Sequence, residues 1–291
     1  MAIEIIPGLA PIADRYDAFI LDLWGVVHNG EKPFEGVLEC MAELRCGGRP
    51  VMLLSNAPRP NNFVVEFLEG IGVARDCYDM ILTSGDMTRI VLEEKRFPFL
   101  EGDAKKFYQL GAVRDKGLDF GLDYSRTSEI ETANFIICTG LVSDETETPE
   151  DYRALLTQAV QLKLPMLCAN PDLTVMRGER MIFCAGSLAQ LYSELGGDVQ
   201  LFGKPYPRTY VMAKEVLGLA DTARILAVGD SMRTDIKGAN NAGIDNILVA
   251  TGIHADEWGL SNGQAPSAAQ VEELSKLHGF SPTFAAGRLR W

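Results

Sequence analysis

Basic charge is scarce in this sequence: 27 Lys and Arg stand against 40 Asp and Glu over 291 residues, a formal net charge of −13. Neutralising a nucleic-acid backbone or an anionic lipid surface takes clustered Lys and Arg. No such cluster occurs, so neither partner is expected. Apolar runs are short as well, and none approaches the ~18 residues that a membrane span needs. The first residues carry Glu4 and Pro7 where a signal peptide has a basic end and an apolar run. Histidine is limited to His28, His254 and His278, so a Ser-His-Asp triad can be drawn only arbitrarily. The cysteines Cys40, Cys46, Cys77, Cys138, Cys168 and Cys184 show no C-x-x-C spacing. Free thiols in a reducing, cytoplasmic setting are expected, with neither a zinc site nor a disulfide framework. No G-x-G-x-x-G follows a strand, and Gly203-Lys204 runs into Pro205 without the glycine-rich lead-in of a P-loop.

What is present is an ordinary folded composition, 47% apolar and 23% charged. A chain of this length buries roughly three quarters of its unfolded surface, as one large or two modest domains. Short β-like runs (AFILDLW at 18–24, PVMLLSNA at 50–57, MILTSG at 80–85, RILAVGDS at 224–231, NILVATG at 246–252) alternate with amphipathic stretches. This pattern predicts an α/β fold, a doubly wound parallel sheet covered on both faces. The texture changes between about 97 and 200 and resumes at QLFGKPYP. The expected organisation is therefore a discontinuous core, 1–85 with 200–291, holding an inserted α/β unit over 86–199. After residue 260 the sequence reads as a loop, a short helix and a weakly structured end.

Four apolar runs of the expected core end in a polar group: Asp22 after AFIL, Ser55-Asn56 after VMLL, Lys204 after LFG, and Asp230 after ILAVG with Asp235 five residues on. Ligands of open parallel sheets sit beyond the carboxyl ends of the strands, so these side chains converge if the runs are neighbours. Carboxylates gathered there suit a hard cation such as Mg²⁺. Ser55 and Lys204 supply a hydroxyl and a compact positive charge for a phosphoryl group. Asp22 is then the attacking carboxylate. Taken singly, each residue reads as a helix cap or a turn former; the ordered set is the signal.

The segments Asp22-Leu23-Trp24-Gly25-Val26, Leu54-Ser55-Asn56, Gly203-Lys204-Pro205 and Gly229-Asp230-Ser231-Met232-Arg233-Thr234-Asp235 resemble the four motifs of the haloacid dehalogenase-like (HAD) hydrolases. Ser55 follows Asp22 by only 33 positions, whereas Lys204 follows Ser55 by 149, which is where the family inserts a class II cap. With Ala169-Asn170-Pro171-Asp172, the insert resembles the class IIA branch, the NagD-like and para-nitrophenyl-phosphatase-like proteins. The resemblance implies a Mg²⁺-dependent phosphatase of a small phosphorylated metabolite, working through an aspartyl-phosphate. In it Asp22 is nucleophile and metal ligand, the Trp24 backbone carbonyl and Asp230 are further ligands, and Asp235 is an additional metal contact. Ser55, Asn56 and Lys204 hold the phosphoryl oxygens, and the segment with Asn170 and Asp172 helps to orient substrate or close the site. A homodimer is also compatible with the resemblance.

One position departs from the family. The second aspartate that protonates the leaving oxygen is here Trp24, whose indole has a single N–H and nothing to exchange near neutral pH. General acid–base help is worth ~10²–10⁴ in rate. Three readings follow: another group substitutes, with His28 the best placed; the enzyme is restricted to good leaving groups; or the site only binds a phosphorylated metabolite. For His28 the alternative is a loop imidazole without a chemical role. Arg59, close to Ser55, reads as a second phosphate contact or a solvated charge, and Gly186-Ser187 as a hinge or a helix cap.

Overall fold

The apolar runs become strands because their β-branched and leucine side chains are covered on both faces, and Gly and Pro punctuate them into a βα alternation. A computed structural model describes residues 3–102, 105–115, 117–177, 180–252, 254, 258–260 and 263–291, with side chains of 176 and 177 left aside. The chain opens with β1 (Glu4–Ile5), β2 (Ala18–Asp22), α1 (Val37–Cys46), β3 (Val51–Ser55), α2 (Asn61–Gly70), β4 (Met80–Thr83) and α3 (Ser84–Glu93). Next come β5 (Lys105–Leu110), β6 (Tyr124–Thr127), β7 (Phe135–Cys138), α4 (Arg153–Gln161) and β8 (Met166–Cys168). A hairpin of β9 (Thr174–Arg177) and β10 (Arg180–Phe183) leads to α5 (Ala185–Glu194) and β11 (Val199–Leu201). The last third holds α6 (Pro207–Leu217), β12 (Ile225–Gly229), α7 (Lys237–Asn241), β13 (Asp245–Val249), α8 (Ala268–His278) and β14 (Phe284–Ala286).

Two compact units result, one of residues 1–55, 64–82 and 204–291, the other of 56–63 and 83–203. These bounds differ from the expected ones chiefly in giving 56–63 to the second unit. The first unit is built on a seven-stranded sheet in the order β1-β14-β13-β12-β2-β3-β4. The pairs from β1–β14 through β2–β3 run parallel, with Leu21 opposite Val228 and Asp22 opposite Leu54. Phe19, Leu21, Leu53 and Val228 pack with Val37, Met41 and Leu44 of α1 on one face. Leu248 packs with Ile236 and with Val271 and Leu274 of α8 on the other. The α/β, doubly wound parallel architecture is therefore as predicted.

The second unit has its own parallel sheet, β11-β8-β7-β5-β6, with α4 and α5 packed on it through Leu156, Leu188 and Tyr192.

Two expectations are corrected. The chain end is not weakly structured: β14 pairs with both β13 and β1 and buries Phe284, Ala285 and Ala286. The run before Lys204 is not a core strand either. β11 pairs with β8 in the second sheet, because its three half-buried residues find a partner along that edge.

Candidate functional site

The first unit's sheet order places β2 and β12 side by side while their connections leave toward opposite edges. Such a switch point opens a crevice beyond the strand ends. Asp22 closes β2, Ser55 closes β3, and Asp230 is the first residue after β12. Asp235 follows on a π-helical turn, Met232–Ile236, which turns its carboxylate back under Ser231: the Ser231 N–H donates to Asp235 Oδ2 at 3.2 Å. Lys204 reaches the same point from the loop ahead of α6 rather than from a strand end of this sheet.

The side chains meet. Lys204 Nζ is ion-paired to Asp22, lies 2.7 Å from Asp235 Oδ1 and donates to the Leu54 carbonyl at 3.4 Å. Carboxylate oxygens of Asp22, Asp230 and Asp235 all lie within 4.8 Å of one another. Asp230, Asp235 and Lys204 are buried and Asp22 nearly so. Burial pushes the Asp22 carboxyl upward, Lys204 opposes that shift, and Asp235 adds to it. Burial would lower the Lys204 ammonium, but Asp22 and Asp235 outweigh it and hold the group well above its ordinary range. Lysine is therefore charged, and three acidic side chains gather around this one ammonium, an excess of carboxyl groups. Hard oxygen donors with that excess fit a divalent cation of the Mg²⁺ type.

Glycines make the room. Gly25 has φ +77°, and a Cβ on it would fall 2.2 Å from Asp230 Oδ2. A Cβ on Gly252 would fall 1.7 Å from the same atom. Their role was missed in the sequence; the cue was position alone, Gly25 directly after AFILDLW and Gly252 at the end of NILVATG.

The other expected residues fall as follows. Ser55 is buried at the end of β3, whereas Asn56 begins the second unit. There Asn56 Nδ2 donates to Asp172 Oδ1 at 2.8 Å. Asn170 Oδ1 accepts the Asp172 N–H at 2.9 Å, closing an Asx turn that presents Asp172. Gly186 opens α5 against this turn, donating to the Asp172 carbonyl at 3.0 Å; a Cβ would fall 2.3 Å from Pro171 O, so the glycine serves close approach. Arg59 is paired with the buried Asp115 at 3.3 Å, also inside the second unit.

His28 is not a surface imidazole. It is 1% exposed, and burial pushes its pKa down to about 4. Its Nδ1 accepts the Gly30 N–H at 3.0 Å, which puts the ring hydrogen on Nε2 and keeps the imidazole neutral. Trp24 itself is 55% exposed.

With this geometry, the relatives can be placed. A haloacid dehalogenase-like hydrolase model matches residues 19–117, and a second HAD-like hydrolase model matches 201–277. A crystal structure of a haloacid dehalogenase-like hydrolase from Brucella suis is 38% identical, covering 98% of this chain and all of that one, with a TM-score of 0.78. The chain belongs to the haloacid dehalogenase-like hydrolases. Among other family members, a 5'-nucleotidase of Bacillus subtilis is 26% identical over 269 residues, 90% of this chain and 97% of its own. The glycerol phosphate phosphatase of Mycobacterium tuberculosis, solved with magnesium, shares the fold at 23% identity and a TM-score of 0.70, over 94% of this chain and 76% of that one. No helix among the described residues is long and apolar enough to cross a membrane.

Proposed function

We propose that this HAD-like hydrolase is a Mg²⁺-dependent phosphatase of a small phosphorylated metabolite, with Asp22 as its nucleophile. The observation that carries this reading is the convergence of Asp22, Lys204, Asp230 and Asp235 at one strand switch point. The divalent cation would be held by Asp22, Asp230 and the Trp24 carbonyl, with Asp235 beside them, and would offset charge on the phosphoryl oxygens. Relatives described as a 5'-nucleotidase and a glycerol phosphate phosphatase support the reaction class. They differ in substrate, so neither name carries over. The second unit, including Asn170 and Asp172, is proposed as a cap of class IIA type that selects the substrate.

One Asp22 oxygen is tied to Lys204, and the other would attack phosphorus. The ester P–O bond breaks with its electron pair on the leaving oxygen, leaving an aspartyl-phosphate. Water then releases phosphate and restores Asp22. Ser55 and Lys204 hold the non-bridging oxygens through the transfer.

Asp22→Asn removes the nucleophile while keeping its shape. Turnover of para-nitrophenyl phosphate should fall at least ~10³-fold, with circular dichroism unchanged. Retained turnover would take Asp22 out of this role.

A further inference from the structure

We propose that Trp24 is a specificity-determining platform for planar aromatic phosphate esters, whose leaving group stacks on the indole beside Asp22. The inference deepens the phosphatase reading and rests on it.

Trp24 stands two residues after Asp22, just beyond the end of β2, where its backbone bridges to His28 in the loop that follows. More than half of its surface is exposed, yet the ring is fixed. The loop behind it is tied by Val27 and His28 N–H groups donating to the Leu23 carbonyl at 2.9 and 3.0 Å, and by Gly25 N–H donating to the His28 carbonyl at 3.0 Å. Gly30, with φ +95°, lies flat against the benzo ring: a Cβ there would be 2.6 Å from Trp24 Cη2 and 2.7 Å from Cζ3. His28 meets the indole edge-to-face at 5.1 Å between centroids, and Phe67 backs His28 in the same manner at 5.3 Å. His28 Nε2 has no hydrogen-bond partner among the described residues and the ring is enclosed, so the residue acts as a wedge behind the indole. A rigid aromatic held by Gly30, His28 and Phe67 and left open on its remaining surface is the form of a stacking surface.

Leaving-group chemistry points the same way. The Trp24 indole has no proton to give a departing oxygen, and His28 is enclosed, its Nδ1 accepting the Gly30 N–H. The site therefore suits an ester whose oxygen departs as a stabilised anion, and a phenolate spreads its charge into the ring that Trp24 would hold. When Asp22 attacks, the P–O(aryl) bond breaks, its electron pair stays on the phenolate, and solvent water supplies the phenol proton after release. A sugar or glycerol phosphate offers neither the flat face nor the stable anion. A nucleoside 5'-phosphate offers the face only.

The test compares 2-naphthyl phosphate with acetyl phosphate, which also needs no acid but has no ring, in wild type, Trp24→Leu and Trp24→Phe with Mg²⁺. Taking the ratio of kcat/KM within each protein cancels any general loss. The naphthyl-to-acetyl ratio should fall about tenfold in Trp24→Leu, the size of one stacking contact, mostly through KM, and Trp24→Phe should recover part of it. An unchanged ratio overturns the platform, as does a higher kcat/KM for adenosine 5'-monophosphate than for the naphthyl ester. If wild type hydrolyses no ester, the phosphatase reading fails, and binding still decides the platform. Naphthylmethylphosphonate should quench tryptophan fluorescence in wild type and lose this in Trp24→Leu, where Trp258 and Trp291 remain. Absence of quenching in wild type, or equal quenching in both proteins, overturns it.

Discussion

Lys204 Nζ sits 2.7 Å from Asp235 Oδ1 while ion-paired to Asp22, so one ammonium links two carboxylates that the chain separates by 213 positions. Removing one partner of a buried charge set typically destabilises by ~3–5 kcal/mol, because the remaining charges stay buried. Lys204→Met should therefore lower Tm sharply in EDTA. Added Mg²⁺, bound by the native state only, should raise the variant's Tm by more than it raises that of wild type. Turnover should not recover, since no phosphoryl contact replaces the lysine. Equal Mg²⁺ shifts in calorimetry of the two proteins would contradict this account of the charge balance.

His28 gives the fold a pH dependence of definite sign. The unfolded imidazole protonates near pH 6.5, whereas the buried one resists until about 4. Between these values the unfolded chain binds more protons, so stability is full above the upper value and falls as pH drops. The loss should reach about 2 kcal/mol by about pH 5. Urea unfolding at about pH 7.5 and about pH 5, in wild type and in His28→Phe, isolates the contribution. The pH-dependent difference should shrink by that amount in the variant, and an undiminished difference would show that His28 does not titrate in this way.

Gly252 tests the carboxylate cluster without touching a ligand. Its φ is ordinary, so alanine brings no backbone strain, only a Cβ that would overlap the Asp230 carboxylate. Asp230 must swing away. Losing a group that merely supports a metal ligand costs ~10–100-fold in metal affinity or activity, and displacing the ligand itself should cost at least as much. Gly252→Ala should show that loss in the Mg²⁺ concentration for half-maximal activity, while far-UV circular dichroism stays the same.

Much of this site was legible because Asp22, Ser55 and Asp230 each close an uninterrupted apolar run. A strand buried on both faces has to read that way, and its carboxyl end is where ligands bind. Lys204 was legible as a candidate site residue but not in its placement. Three residues, Val199 to Leu201, carry too little pattern to tell which of two parallel sheets they join, and only the pairing with Met166–Cys168 decides it. β14 was missed for a similar reason, being three residues long behind Ser281 and Pro282. His28 lay beyond reach altogether. Its burial depends on Phe67, nearly forty positions away, and a lone histidine in a glycine-flanked loop gives no sign of that contact.

Within the second unit, Asp172 is cast as a positioning residue for Asn56. The Asn170 turn aims its carboxylate, Asn56 Nδ2 donates to it at 2.8 Å, and the amide orientation is thereby set. Hydrogen bonds to a charged group contribute ~1.5–3 kcal/mol. Asp172→Ala removes this acceptor and should lower Tm by a few degrees, as the Asn56 amide loses its charged partner. Asp172→Asn keeps a carbonyl oxygen where Oδ1 stands and should recover part of that loss. A simple packing role predicts the reverse grading, with any small replacement tolerated and no rescue by asparagine. Thermal unfolding of the two variants separates the hydrogen bond from the packing of the turn.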